Sequence, residues 1–306
     1  MAWLLLAFMS AALLGCYDSF KKQALKDNAV IPVLFLNTLF SSLIFLPFII
    51  VSASTDMLDG SIFKVAAGGW EVHRYVLLKA LIVLSSWVLG YFGMKHLPLT
   101  IVGPINATRP VMVLVGALLV FGERLNVWQW VGVLLAILSF LMLSRSGKKE
   151  GIDFRRDHWI WMIVGAAVFG AISGLYDKFL MAPVESGGVG LDRMLVQSWY
   201  NIYQCGMMLA MLLLLWCPKH KETTPFHWHW SIIGVSLFLS TADFVYFYSL
   251  SMPDAMISIV SMIRRGSVIV SFLFGAAFFH EKNLKAKAFD LALVLLGMIF
   301  LYIGSK

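Results

Sequence analysis

The chain has 306 residues, 60% of them hydrophobic and only 13% charged, with a mean hydropathy of +0.82. A water-soluble domain of this size could not hide so much apolar surface, which makes the bilayer the solvent that suits the composition. The net charge of +7 sits in short loops, where it reads as a topology signal and as contacts for anionic lipid rather than as a nucleic-acid surface.

Apolar runs between breakers and charges predict ten spans, near 3–21, 30–52, 75–95, 99–121, 126–144, 159–181, 194–217, 230–250, 254–279 and 286–304. Leu13-Leu14-Gly15-Cys16 imitates a lipoprotein processing site, but no basic residue precedes the apolar run, so the segment is expected to stay as a helix. Most connections are short, and the longer ones are 53–74 and the polar stretch Arg145–His158. Cys16, Cys205 and Cys217 have neither metal-ligand nor disulfide spacing and read as packing residues. His220, His227 and His229 alternate with Trp228 and Trp230, a pattern better suited to a membrane-interface belt than to a metal cluster.

The two sides of the polar stretch repeat each other. Gly15-x-Tyr17-Asp18-x-Phe20 matches Gly174-x-Tyr176-Asp177-x-Phe179, and Tyr91-Phe92 before Pro98 matches Tyr246-Phe247 before Pro253. Arg109 then falls opposite Arg264, and Phe121-x-Glu123-Arg124 opposite Phe279-x-Glu281-Lys282. The shift stays at about 157 residues throughout. This organisation gives a first five-helix repeat over 1–145, a linker over 146–158 and a second repeat over 159–306. An odd number of helices per repeat forces the second copy to enter the membrane upside down, so the expected fold is an all-α membrane protein of two inverted repeats. Such pairs provide two near-equivalent conformations, the basis of alternating access.

The chain resembles the EamA-type, ten-helix members of the drug/metabolite transporter superfamily. The resemblance rests on the five-plus-five plan and on the acidic loops Phe121-Gly122-Glu123-Arg124-Leu125 and Phe279-His280-Glu281-Lys282-Asn283-Leu284, the second with His280 where the family usually has Gly. It implies a central cavity lined by the first, third and fourth helices of each half. It also implies proton- or exchange-driven movement of a small metabolite.

Ionisable residues deep in spans are the functional candidates, because charge there is expensive. Arg109 and the adjacent Arg264 and Arg265 fall about halfway through the bilayer. Pro110 and Gly266 are weak points in the helices that carry them. Guanidinium groups from both halves could clamp a carboxylate or phosphate; alternatively, Asp243, Asp18 or Asp177 neutralise them internally. Neighbours on a helix point about 100° apart, so at most one of Arg264 and Arg265 is expected to face a cavity. Asp18, Asp177 and Asp243 are the proton-coupling candidates, the first two with the competing reading of local pairs to Lys21, Lys22 or Lys178. Asn106, Trp87, Tyr91 and Tyr246 complete the expected substrate-binding set, and Asn37, Trp199 and Tyr203 are further polar or aromatic positions within spans. Glu123 and Glu281 read as ties between loops and helix ends.

No Ser/His/Asp arrangement, metal triplet or phosphate-binding glycine loop appears in usable context, so neither catalysis nor a cofactor or metal is implied. The expected partners are a small-molecule substrate, membrane lipids, and protons or a counter-substrate. A flippase for anionic lipid is the competing function. The expected location is a cell membrane of the bacterial inner-membrane type. Lys and Arg crowd one set of loops, from Lys21, Lys22 and Lys26 through Arg145–Arg156 to Lys282–Lys287, whereas the other set holds Lys64, Arg74, Arg124, Arg193 and Lys306. The positive-inside rule then puts both termini outside, whereas the resemblance puts them in the cytoplasm; the charge count is followed here.

Overall fold

The computed structural model describes residues 2–109, 111–113, 126–148, 154–181, 184–250, 260, 263–278 and 284–304. Every regular element among them is helical, as expected of a chain whose backbone polar groups must be satisfied within each segment when water is absent. In chain order the helices are α1 (Ala2–Leu25), α2 (Val30–Ser54), α3 (Trp70–His96), α4 (Leu99–Ala107), α5 (Val127–Lys148), α6 (His158–Met181), α7 (Arg193–Met211), α8 (Ser231–Leu250), α9 (Ser267–Phe278) and α10 (Leu284–Gly304). Six are long and apolar enough to cross a membrane: α1, α2, α3, α6, α7 with its extension to Lys219, and α8. The acidic loops at 121–125 and 279–283 and the prolines Pro110 and Pro253 lie outside the described residues.

α1 and α3 extend by about a turn beyond their expected limits, and in both the added turn carries charged residues that find partners. α3 starts at Trp70 rather than near residue 75, with Glu71 and Arg74 paired at 2.6 Å on its exposed first turn. α1 runs to Leu25 and takes in Lys21 and Lys22, which the sequence places in a loop. Lys22 Nζ donates to the carbonyls of Met94 (2.7 Å) and Leu97 (2.5 Å), covering acceptors left open at the end of α3. The chain then reverses through Asp27, whose φ of 49° lies in the left-handed region. Asn28 fixes that turn, donating to Ala24 O and His227 O while accepting from Ala29 N and His227 N. The His227 segment is thus bound to the α1–α2 corner through its backbone.

Prominent packing partners are α1 with α8, α3 with α6, α2 with α7, α5 with α10, and α9 with both α1 and α4. Buried serines tie the first two pairs: Ser10 Oγ donates to Ala242 O and Ser86 Oγ to Ala166 O, both at 2.7 Å. Buried polar residues gather on α2 and α7, namely Asn37, Thr38, Ser41, Ser42, Gln197, Ser198, Asn201 and Gln204. Ser42 Oγ donates across to Asn201 O at 2.8 Å. Apolar contact alone does not favour helix over lipid, so such hydrogen bonds supply directed attraction between membrane helices. Outward faces keep large apolar side chains such as Leu5, Leu81 and Leu214 exposed, as a lipid-facing surface requires.

Both expected weak points are irregular. The chain leaves α4 at Thr108, where N–H groups reach back three residues: Thr108 N to Ile105 O at 3.2 Å and Val111 N to Thr108 O at 3.0 Å. A second turn falls at Gly266, just before α9, with Gly266 N on Ile263 O at 2.8 Å and Ile269 N on Gly266 O at 2.9 Å. These tightened turns place Arg109 and Arg265 beside breaks in their helices.

Candidate functional site

α1, α3, α4, α6, α8 and the segment entering α9 surround a cavity of about 160 Å³, to which α7 adds Tyr200. Arg109, Arg264, Arg265, Asn106, Trp87, Tyr246, Asp243, Asp18 and Asp177 all line it. Tyr91 does not: it is fully buried behind the wall, its ring 4.8 Å from Lys21 Nζ. Trp199 and Tyr203 lie elsewhere, both edge-to-face with His73, and Asn37 is buried on α2, its carbonyl accepting from Ser236 Oγ of α8 at 3.2 Å.

Both Arg264 and Arg265 line the cavity, which corrects the expectation that only one of them would. That expectation assumed a regular helix and a narrow cavity face. Here the pair stands beside the Gly266 turn, and the cavity extends between α1, α6 and α8.

The carboxylates are each matched with a cation. Asp243 pairs with Arg264 and accepts from Tyr200 Oη at 3.0 Å. Arg264 also lies over the Tyr246 ring, 4.2 Å from its centroid. Asp177 pairs with Lys79, a buried residue of α3 that also faces the Tyr200 and Phe247 rings. Asp177 therefore reaches across to another helix. Asp18 lies 3.6 Å from Lys21 Nζ and accepts from Ser271 Oγ at 3.2 Å.

Arg109 and Arg265 have no carboxylate partner among the described residues. Arg109 donates to Asn106 Oδ1 at 3.0 Å, one helical turn away, and its buried Nε has no acceptor. Its guanidinium lies flat against Gly170 of α6: a methyl group placed there would stand 2.7 Å from Arg109 Cζ and 3.0 Å from Nε. An unpaired guanidinium is costly to bury, and among the described residues this cavity holds two.

Lys79 and Lys21 are the cavity cations that sequence reasoning does not nominate. Lys79 falls inside the expected third span and satisfies the same intramembrane-charge criterion as the arginines. Lys21 sits at the expected end of the first span, and only the longer α1 brings it into the wall.

Comparison with known proteins agrees with this architecture. A solved crystal structure of a protein superposes with a TM-score of 0.66 over 99% of this chain and 98% of its own, at 11% identity, a likeness of fold alone. No curated protein matches the chain. Residues 1–145 match the model of the EamA-like transporter family. Over those residues this multi-pass membrane protein is similar to the EamA-like transporters, a family of the drug/metabolite transporter superfamily.

Proposed function

We propose that the protein is a secondary transporter that carries a small anionic or zwitterionic metabolite across the membrane by alternating access. The observation that carries this reading is the pair of arginines, Arg109 and Arg265, lining the central cavity without a carboxylate partner among the described residues. A bound anion would supply the missing countercharge and accept from both guanidinium groups.

An architecture of ten helices in two inverted repeats supports the mechanism. Exchanging α1–α5 with α6–α10 turns the α1–α8 contact into α6–α3 and α1–α9 into α6–α4, and maps α2–α7, α4–α9 and α5–α10 onto themselves, all of them contacts present here. The repeat-related glycines nevertheless differ in surroundings. A methyl on Gly15 would collide with Val270 and stand 2.9 Å from Ser267 O, whereas among the described residues nothing lies within 4 Å of the same position on Gly174, which faces the cavity. Among the described residues, Gly15 is packed against α9 whereas Gly174 faces the cavity. Interchange of those two arrangements is what alternating access between inverted repeats requires.

The test begins with a thermal-stability screen of the purified protein against carboxylates, phosphates, amino acids and neutral sugars, since a ligand stabilises the state that binds it. The strongest ligand is then followed into proteoliposomes. Arg109→Gln is expected to lower uptake by about 10- to 100-fold, the worth of one or two charge-assisted hydrogen bonds, with unchanged yield and monodispersity. Unaltered uptake by that variant, or a response confined to neutral sugars, would refute the reading.

A further inference from the structure

From the charge balance of the cavity we infer that its preferred ligand is a compact dianion, bearing either two carboxylates or one fully ionised phosphate. The inference rests on the transport reading only for the site's location, and narrows the anionic or zwitterionic class to one charge.

Among the described residues the cavity wall holds five cationic residues, Lys21, Lys79, Arg109, Arg264 and Arg265, against the three carboxylates Asp18, Asp177 and Asp243. Three of the cations are matched with those carboxylates. Each Lys–Asp pair is neutral whichever partner holds the proton, and Arg264 with Asp243 also cancels. The excess is therefore carried by Arg109 and Arg265, which stay protonated at any physiological pH. A zwitterion would bring no net charge, and a monoanion would leave one buried guanidinium uncompensated. A dianion cancels both.

Size limits the ligand as well. At about 160 Å³ the cavity is close to the roughly 150 Å³ that encloses a benzene molecule and below the roughly 300–1,000 Å³ of pockets for drug-sized compounds. It suits a body of roughly six to ten non-hydrogen atoms. Rings at its edge, Trp87, Tyr200 and Tyr246, offer apolar surface to a short carbon chain between or behind the charges.

The experiment uses the full-length protein in nanodiscs at fixed ionic strength and pH 8, with direct binding titrations of four probes. Succinate, butyrate and γ-aminobutyrate share a four-carbon backbone and carry charges of −2, −1 and zero. Methyl phosphate, fully ionised at this pH, is the second dianion and tells a phosphate site from a dicarboxylate site. At least one dianion is expected to bind about tenfold or more tightly than both butyrate and γ-aminobutyrate. Removing one excess charge by Arg265→Gln should reduce that preference by about tenfold and move it toward the monoanion. Equal affinity across the charge series, tightest binding of γ-aminobutyrate, or no binding of either dianion overturns the inference. The wild-type series decides even if the variant fails to fold. Tight binding and uptake of a zwitterion would sink the dianion while leaving the transport reading standing.

Discussion

Lys79 and Asp177 join α3 to α6 at a point where neither side chain can reach water easily. Removing one member of such a pair strands the other, at a cost of about 3–5 kcal/mol, whereas removing both can be nearly neutral. Lys79→Met is therefore expected to lower the denaturation temperature in detergent markedly, and Lys79→Met with Asp177→Asn to recover most of the loss; a double variant as unstable as the single one would show that the pair does not couple. Gly170→Ala probes Arg109 differently. The added methyl displaces the guanidinium rather than backbone, so the fold should survive while the half-saturation concentration for transport rises several-fold. Arg109, Arg264, Asp18, Asp177 and Asp243 were legible in the sequence because a charge among apolar neighbours is conspicuous. The pairing was legible in part: Lys21 was named for Asp18 by helical spacing and an arginine for Asp243, but Asp177 found Lys79 on another helix, and no spacing rule reports that. Tyr91 shows the opposite failure: an aromatic in the right helix, turned behind the wall by one face.

Among the elements, the apolar periodicity located α1, α2, α3, α6, α7 and α8 to within a few residues, and the errors fell where charged ends were stabilised by contacts from elsewhere. The breaks beside Arg109 and Arg265 were foreshadowed by Pro110 and Gly266, residues that weaken a helix by local chemistry alone. The different surroundings of Gly15 and Gly174 could not be read from two copies of one motif, because they belong to a conformation rather than to a sequence. They lead to opposite expectations. Gly174→Leu has space in this conformer and should hold it by obstructing the reverse closure, abolishing transport while preserving ligand binding. Gly15→Leu collides with α9 and should favour the opposite arrangement. Cysteine-accessibility labelling at the cavity rim would report the two as shifts to opposite sides; identical labelling of both variants would contradict interchange between the halves.

For the molecule as a whole, orientation is set by loop charge rather than by packing. The lysine- and arginine-rich loops predict that both termini lie on the non-cytoplasmic side. A fusion at the C-terminus carrying paired reporters, one active on each side, should give the external signal; a cytoplasmic signal would mean that family habit outweighs charge in this chain. The excess of two arginines also has an electrical consequence. Each elementary charge carried through 100 mV is worth about 2.3 kcal/mol. Filled by a dianion, the cavity carries nothing for the membrane potential to act upon, whereas empty it carries both guanidinium charges of Arg109 and Arg265. Voltage would then govern the return of the unloaded protein and leave the passage of its cargo untouched.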